Sequence, residues 1–307
     1  MRAFLFPGQG SQSVGMGSAL AGASSAARDV FGEVDEALGQ NLFRLMRDGP
    51  DEELKLTENA QPAIMAHSIA VLRTLGVDLA SVADFVAGHS LGEYSALCAA
   101  GSFDLATTAK LLKLRGQAMQ AAVPVGKGAM CALLGADLAM ARRIAEAAAQ
   151  GEVCTVANDN DPSQVVLSGD KGAIDRAVEM AKEMGAKRAV PLPVSAPFHC
   201  PLMQPAAEAM SDALSYVVLG APAVPVFANV TAKSETDPDT IRGLLVDQVT
   251  GMVRWRESVA DMAEAGVEEF VEIGGKVLGS MVKRIVPDVE VRSLVTMEDI
   301  EALAREI

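Results

Sequence analysis

Several residue types are scarce in this chain of 307 residues, and each scarcity excludes something. The four cysteines, Cys98, Cys131, Cys154 and Cys200, are scattered and form no Cys-x-x-Cys pair. That excludes a disulfide framework and a zinc site, and it fits a reducing compartment. No apolar run reaches the roughly 18 residues needed to cross a bilayer. Residues 1–6 are too short and too weakly charged for a signal peptide, so no membrane association and a cytoplasmic location are expected. Positive charge is also in short supply. Lys and Arg number 26 against 40 Asp and Glu, a net charge of −14, which argues against nucleic acid as a partner. No His-Glu-x-x-His or comparable spacing is present, so no metal is expected. Gly8-x-Gly10-x-x-Ser13 lacks the third glycine of the dinucleotide fingerprint. Gly275-Lys276-Val277 and Gly126-Lys127-Gly128 lack the hydroxyl residue of a P-loop. No cofactor is expected.

What the chain does have is apolar bulk and one sharp motif. Half of its residues are hydrophobic, enough to bury a core in one large domain with an insertion, or in two domains. Gly88-His89-Ser90-Leu91-Gly92 reads Gly-x-Ser-x-Gly, with the strand-like Phe85-Val86-Ala87 before it and the helix-prone Glu93–Ala100, closed by Gly101, after it. A strand that turns sharply into a helix at a serine is a nucleophile elbow. It lifts the Ser90 hydroxyl out of the sheet and leaves the Leu91 amide at a helix N-terminus, where an oxyanion can be held.

Strand-like and helix-like segments alternate along the chain, as expected of an α/β fold with a mainly parallel sheet. Ala3–Phe6 reads as a strand, Thr57–Gly76 contains a helix whose start is marked by Gln61-Pro62, and a long helix runs from about Leu105 to Ala122. The pattern then changes. Ala129–Leu134, Val153–Ala157, Gln164–Ser168 and Arg188–Leu192 read as strands, with helices at Leu138–Ala149 and Ala173–Met184. That βαββαβ order predicts a ferredoxin-like subdomain at 125–194, inserted into a large α/β-hydrolase-like catalytic domain formed by 1–124 and 195–307. The main domain resumes with Met203–Tyr216 (helix), Pro225–Asn229 (strand), Trp255–Ala265 (helix), Glu269–Ile273 (strand) and Val277–Ile285 (helix). The site is expected in the cleft between the two.

A serine nucleophile needs a general base, and histidine is the usual one. Three are present. His89 precedes the serine and should point away from it, while His67 sits in an amphipathic helix, Ile64–Leu75, and reads as structural. His199 lies between two prolines in Ser195-Ala196-Pro197-Phe198-His199-Cys200-Pro201, at the mouth of the expected cleft, and is the expected base. No aspartate stands out as its partner, and a backbone carbonyl can orient an imidazole equally well.

With these residues in view, the chain resembles the malonyl-CoA:acyl carrier protein transacylases, part of the acyltransferase family of fatty-acid and polyketide synthesis. The resemblance is carried by Phe6–Gln12, Leu56–Pro62, Gly88–Leu97, Arg115–Gln120, Ala157-Asn158 through Gly169, Pro197–Cys200, and Gln248 with Val253-Arg254-Trp255. It implies a ping-pong transfer of malonyl from coenzyme A through a Ser90 ester to the phosphopantetheine thiol of acyl carrier protein. By position it makes His199 the base, Gln9 with the Leu91 amide the oxyanion hole, Arg115 the holder of the malonyl carboxylate, and the Gln248 carbonyl the group that orients His199. Taken alone, Arg115 would pass for one of several basic residues on a solvated face. Phe198, a bulky aromatic before the base, implies rejection of an α-methyl group. Met252 stands where the family commonly has proline. Both substrates are anionic, so Lys187-Arg188 and Lys283-Arg284 are candidate contacts for coenzyme A or the carrier protein.

Three other readings stay open. A serine hydrolase or thioesterase would use the same nucleophile but would not need Arg115. A stand-alone acyltransferase of polyketide synthesis would use the same residues, and a vestigial carrier-docking module would need none of them. No sustained heptad or unexplained apolar stripe is present, so a monomer is expected.

Overall fold

The computed structural model describes residues 1–307. It opens with β1 (Arg2–Phe6), followed by α1 (Ser18–Ala23), α2 (Ser25–Leu38), α3 (Leu42–Asp48), α4 (Asp51–Leu54), α5 (Thr57–Leu75) and α6 (Leu79–Val82). Next come β2 (Phe85–Gly88), α7 (Leu91–Ala99) and α8 (Leu105–Ala122). The middle of the chain holds β3 (Gly128–Leu134), α9 (Leu138–Ala149), β4 (Cys154–Asp161), β5 (Gln164–Asp170), α10 (Lys171–Met180) and β6 (Arg188–Pro191). A 3-10 turn at Pro201–Met203 leads to α11 (Gln204–Ser215), β7 (Val226–Ala228), β8 (Lys233–Glu235), α12 (Pro238–Thr250) and α13 (Trp255–Glu264). The chain closes with β9 (Glu269–Ile273), α14 (Leu278–Ile285), β10 (Glu290–Leu294) and α15 (Met297–Ala304).

The strands form two separate sheets. The larger has six strands in the order β10-β9-β1-β2-β7-β8. All its pairs are parallel except β7 with β8. A parallel sheet is covered on both faces, and the strand alternation shows it. Phe4, Phe6 and Val86 enter one core beneath α2, α5, α7 and α8. Ala3, Leu5 and Ala87 enter a second core with Trp255 of α13 and Leu278 of α14. The chain goes from β1 to β2 on one side and later to β9 on the other. Such a reversal opens a crevice at the carboxyl ends of the strands. The loop after β1 and the turn after β2 both end there, and they carry Gln9 and Ser90.

The smaller sheet is antiparallel, in the order β4-β5-β3-β6. Its two faces differ. Cys131 and Leu133 of β3 point into a small alanine-rich core with α9 and α10. Met130 and Ala132 point the other way, into the main core. The long β4 ties the two sheets together. Val253, just before α13, exchanges backbone bonds with Ala157 and Asp159. Asp159 and Asp161 are fully buried and pair with Arg256 at 2.8 Å and Arg284 at 2.8 Å. Met252 therefore sits in a segment held by strand-like bonding rather than by a proline ring.

The elements differ from the sequence reading in identifiable ways. Helix α5 starts at Thr57, ahead of Gln61-Pro62, and Pro62 lies inside it. Its interior proline lacks one helix bond, but every residue from Asn59 to Leu72 is buried, and packing on all sides outweighs that loss. The helix is thus buried all round rather than amphipathic. Strand β4 extends four residues beyond Ala157 because its polar end, Asn158–Asp161, is paired with β5 and with the large unit. The helices between residues 18 and 54, helix α12, strand β10 and helix α15 had no counterpart in the sequence reading. For α12 a signal exists, since Asp237 caps the helix through Thr240 N and Pro238 occupies the first turn.

Candidate active site

The turn from β2 into α7 is tight enough to require both glycines. A Cβ on Gly88 would fall 1.8 Å from the Gly92 backbone, and one on Gly92 would fall 2.2 Å from the Phe6 carbonyl oxygen. Between them Ser90 adopts φ 55°, ψ −111°, a conformation that persists only when the surroundings over-determine it. Asn229, just past β7, supplies that restraint. Its Oδ1 accepts from Ser90 N at 2.8 Å, and its Nδ2 donates to Gly88 O at 2.7 Å.

Ser90 Oγ lies 2.8 Å from His199 Nε2, and His199 Nδ1 lies 2.9 Å from the main-chain oxygen of Gln248. A carbonyl oxygen can only accept, so Nδ1 carries the proton and Nε2 presents a lone pair to the serine. That tautomer is the one a general base needs. His199 is not at an open mouth but buried, 4% exposed, with φ 57°. Burial, reinforced by the positive charge of Arg115, pushes its pKa down to about 3, so the ring is neutral near pH 7.

Arg115 does not lie on a solvated face. It is 1% exposed, on the inner side of α8. Its Nη1 donates to Gln61 Oε1 at 2.8 Å, and its Nη2 to Gln248 Oε1 at 2.9 Å and Ser90 Oγ at 3.2 Å. The guanidinium packs 5.7 Å from the centre of the Tyr94 ring. All of its hydrogen-bond acceptors are neutral, and Nε has no partner. A buried cation so placed, with a planar fork of donors beside a serine hydroxyl, has the chemistry to pair with a carboxylate.

The serine, base and arginine face a cleft of about 450 Å³. Gln9, Leu91 and Phe198 line it from the large unit, and Met130, Asn158 and Leu192 from the small sheet. Neither the Leu91 N–H, at the start of α7, nor the Gln9 N–H donates to another backbone group. Both amides are thus left without a backbone acceptor beside Ser90. Phe198 is 8% exposed and narrows the cleft beside His199. His89 points elsewhere, as its position implies: Nε2 meets Asn160 Oδ1 at 2.8 Å and the ring packs against Trp255.

The basic pairs lie outside the cleft lining. Lys187 and Arg188 are exposed. Arg284 is engaged with Asp161, and Lys283 donates to the carbonyls of Pro287 and Val289. Besides Arg115, the basic group that reaches the cleft is Lys55, which also pairs with Asp51. The sequence reading also missed Gln61, Glu93, Asn160 and Asn229. For Asn229 there was a signal, a polar residue at the carboxyl end of a strand beside the elbow. Glu93 is buried, its carboxyl pushed up to about 7 by desolvation against the opposing bonds from Gln248 and Asn229.

Comparison with known proteins identifies the family. Residues 3–284 match the acyl transferase domain family. The chain is 46% identical over 285 residues to the malonyl CoA-acyl carrier protein transacylase of Escherichia coli K12, covering 92% of each, and 44% identical to that of Bacillus subtilis, covering 92% of this chain and 90% of the other. The acyl-carrier-protein S-malonyltransferase of Bartonella henselae superposes with a TM-score of 0.97 at 52% identity, covering 99% of this chain and 98% of that one. A malonyl-transacylase in complex with a type II PKS acyl-carrier protein also matches, with a TM-score of 0.97 at 41% identity over 100% and 99% of the two chains. The motif series, the fold and these likenesses converge, and the chain belongs to the acyl transferase domain family.

Proposed function

We infer that this chain transfers malonyl from malonyl-CoA to the phosphopantetheine thiol of acyl carrier protein, through a malonyl ester on Ser90, for fatty-acid chain elongation. The observation that carries the reading is Arg115, a buried guanidinium with only neutral acceptors, 3.2 Å from Ser90 Oγ. A hydrolase of neutral esters has no use for it.

The reaction follows from the geometry. Ser90 Oγ attacks the thioester carbonyl while His199 Nε2 takes its proton, and the carbonyl oxygen gains charge near the Leu91 and Gln9 amides. The C–S bond then breaks, and His199 returns the proton to the leaving coenzyme A sulfur. In the second half the carrier thiol gives its proton to His199, its sulfur attacks the ester, and the proton passes to departing Ser90 Oγ. Acyl groups move between oxygen and sulfur with no change of oxidation state, so the chemistry needs no cofactor. A base pushed down to about 3 is weak, and Arg115 is one cause. A malonyl carboxylate on Arg115 neutralises that charge and makes the imidazolium easier to form. An acetyl group cannot do this, so substrate charge and base strength are coupled.

The test is intact-protein mass spectrometry after brief exposure to malonyl-CoA and an acid quench. Wild type should gain one malonyl group and Ser90→Ala none. A malonyl ester persisting in Ser90→Ala would overturn the assignment, and steady release of coenzyme A with no ester would indicate a hydrolase. A polyketide carrier as acceptor is a second reading, favoured by the relative in complex with a type II PKS acyl-carrier protein. Parallel rates with the two carriers separate the readings.

Further parts of the reading rest on the same frame. The order β4-β5-β3-β6 supports a ferredoxin-like subdomain at 125–194, and the strand–turn–helix at Ser90 supports a hydrolase-like large unit of 1–124 and 195–307. The exposed Lys187 and Arg188 are the better placed of the basic pairs for a carrier protein. Phe198 favours malonyl over methylmalonyl, by about 1–3 kcal/mol for one pocket methyl. No helix is long and apolar enough to cross a membrane. The scattered cysteines support a cytoplasmic location, the net charge of −14 speaks against nucleic-acid partners, and the lack of a sustained heptad supports a monomer.

A further inference from the structure

The geometry points to Glu93 as a positioning residue for malonyl recognition, acting through the side chain of Gln248 on Arg115. This rests on the proposed function and extends it by a residue that neither the motif reading nor the reaction steps use.

Glu93 lies on the first turn of α7, 2% exposed, with no basic side chain in contact. Its Oε2 accepts from Gln248 Nε2 at 2.7 Å and from Asn229 N at 3.1 Å. The same Gln248 Nε2 also donates to Ser90 O at 3.0 Å. An amide has one donor end and one acceptor end. With Nε2 held by these two oxygens and, at 3.4 Å, by Asn229 Oδ1, Gln248 Oε1 must face Arg115 Nη2, 2.9 Å away. Were the amide reversed, two donors would oppose each other at Arg115. Glu93 thereby sets the polarity of the one side chain that links the nucleophile's backbone to the carboxylate receptor. The main-chain oxygen of that same glutamine orients His199.

Glu93 is also a buried carboxyl within the field of Arg115. The other titratable groups around it are Tyr94, its neighbour on α7, and His199, both buried, with the half-buried His89 beyond. Arg115 is the charged group that acts on it directly. The carboxylate form holds the Gln248 amide more firmly than the acid form, because a charged acceptor makes the stronger bond. Malonyl capture should therefore rise with pH across the range in which Glu93 ionises. His199, neutral throughout that range, adds no bend there.

The experiment measures the rate of Ser90 acylation by malonyl-CoA and by acetyl-CoA from pH 6 to 8.5 in wild type, Glu93→Ala and Glu93→Gln. Thermal melts check that each variant is folded. Glutamine keeps an acceptor for Gln248 and Asn229 but cannot ionise. Glu93→Ala should raise KM for malonyl-CoA roughly tenfold to a hundredfold, as for a lost hydrogen bond to a charged group, with a smaller effect on acetyl-CoA. Glu93→Gln should recover most of that loss and give a flat profile where wild type bends. A folded Glu93→Ala with unchanged KM and malonyl-to-acetyl ratio would overturn the inference. So would a Glu93→Gln profile that bends as wild type does. A wild type that takes no malonyl overturns the proposed function and this inference together, whereas a malonylated wild type beside unaltered variants overturns the inference alone.

Discussion

The two sheets solve different problems with different residues. The parallel sheet is buried on both faces and closes around large side chains such as Phe4, Phe6, Trp255 and Phe270. At its carboxyl edge it holds a strained serine, a buried cation and a buried acid. The antiparallel sheet packs α9 and α10 through small residues, with eight alanines among the fifteen buried members of its core. It gives the cleft only the side chains of its other face. The part that performs the chemistry is thus dense and intolerant, and the part that closes over it is a light wall clamped on by β4. Catalytic geometry needs rigid mounts with little freedom to relax.

The largest expected effect tests the dense side. His199→Ala should slow malonyl-enzyme formation by roughly 10²–10⁴-fold, read by rapid quench and intact mass. Arg115→Ala should lower malonyl transfer roughly a hundredfold, the scale of a lost buried charge pair, and should raise relative tolerance of acetyl-CoA. An unchanged malonyl-to-acetyl ratio would count against the carboxylate role. A pair of glycine changes contrasts the two regions directly. Gly92→Ala puts a methyl 2.2 Å from a backbone oxygen and should destabilise by about 3 kcal/mol, the upper end for overpacking. Gly151→Ala, in the turn before β4, meets nothing within 4 Å and bears only its positive φ, costing about 1 kcal/mol. Equal losses in denaturant melts would erase the distinction.

The clamp between the regions should matter somewhat less. Arg256→Ala leaves the fully buried Asp159 without its partner, whose carboxyl burial already pushes up. Because Arg256 is itself partly exposed, the loss should be about 2 kcal/mol rather than the 3–5 of a fully buried pair. Amide exchange in β4 should quicken before that in β1. The smallest effect concerns acid. All three histidines lie outside 125–194. His67 is pushed down to about 4 by burial. A base with a depressed folded pKa contributes its full stability above the unfolded value of about 6.5 and loses it as pH falls toward the folded value. From pH 6.5 to 5, His67 should account for about 1.6 kcal/mol of lost stability. His67→Gln should melt with a shallower pH dependence, and acid should loosen the large sheet before the small one.

The strong local signals were legible in the chain. The elbow, helix α8 and the βαββαβ order could be read because glycine placement, periodicity and turn chemistry are local properties. The start of α5 and the length of β4 were not, since burial on every side and pairing with Val253 decide them. Helix α12 was overlooked although Asp237-Pro238 marks its start, because Gly243 and the β-branched Ile241, Val246 and Val249 blur the period.

The sequence by itself determined that a serine would stand between a strand and a helix, that histidine would be the candidate base, and that an arginine would lie on a long helix. Tertiary structure alone decided that Arg115 is buried rather than solvated, that His199 is neutral and held in one tautomer, and that Gln248 joins His199, Ser90 and Arg115. The physical reason is distance. Ser90, Arg115, His199 and Gln248 meet across 25, 109, 133 and 158 residues of chain, and only the packed fold brings such groups into a low-dielectric site where charge and tautomer are set by neighbours rather than by water.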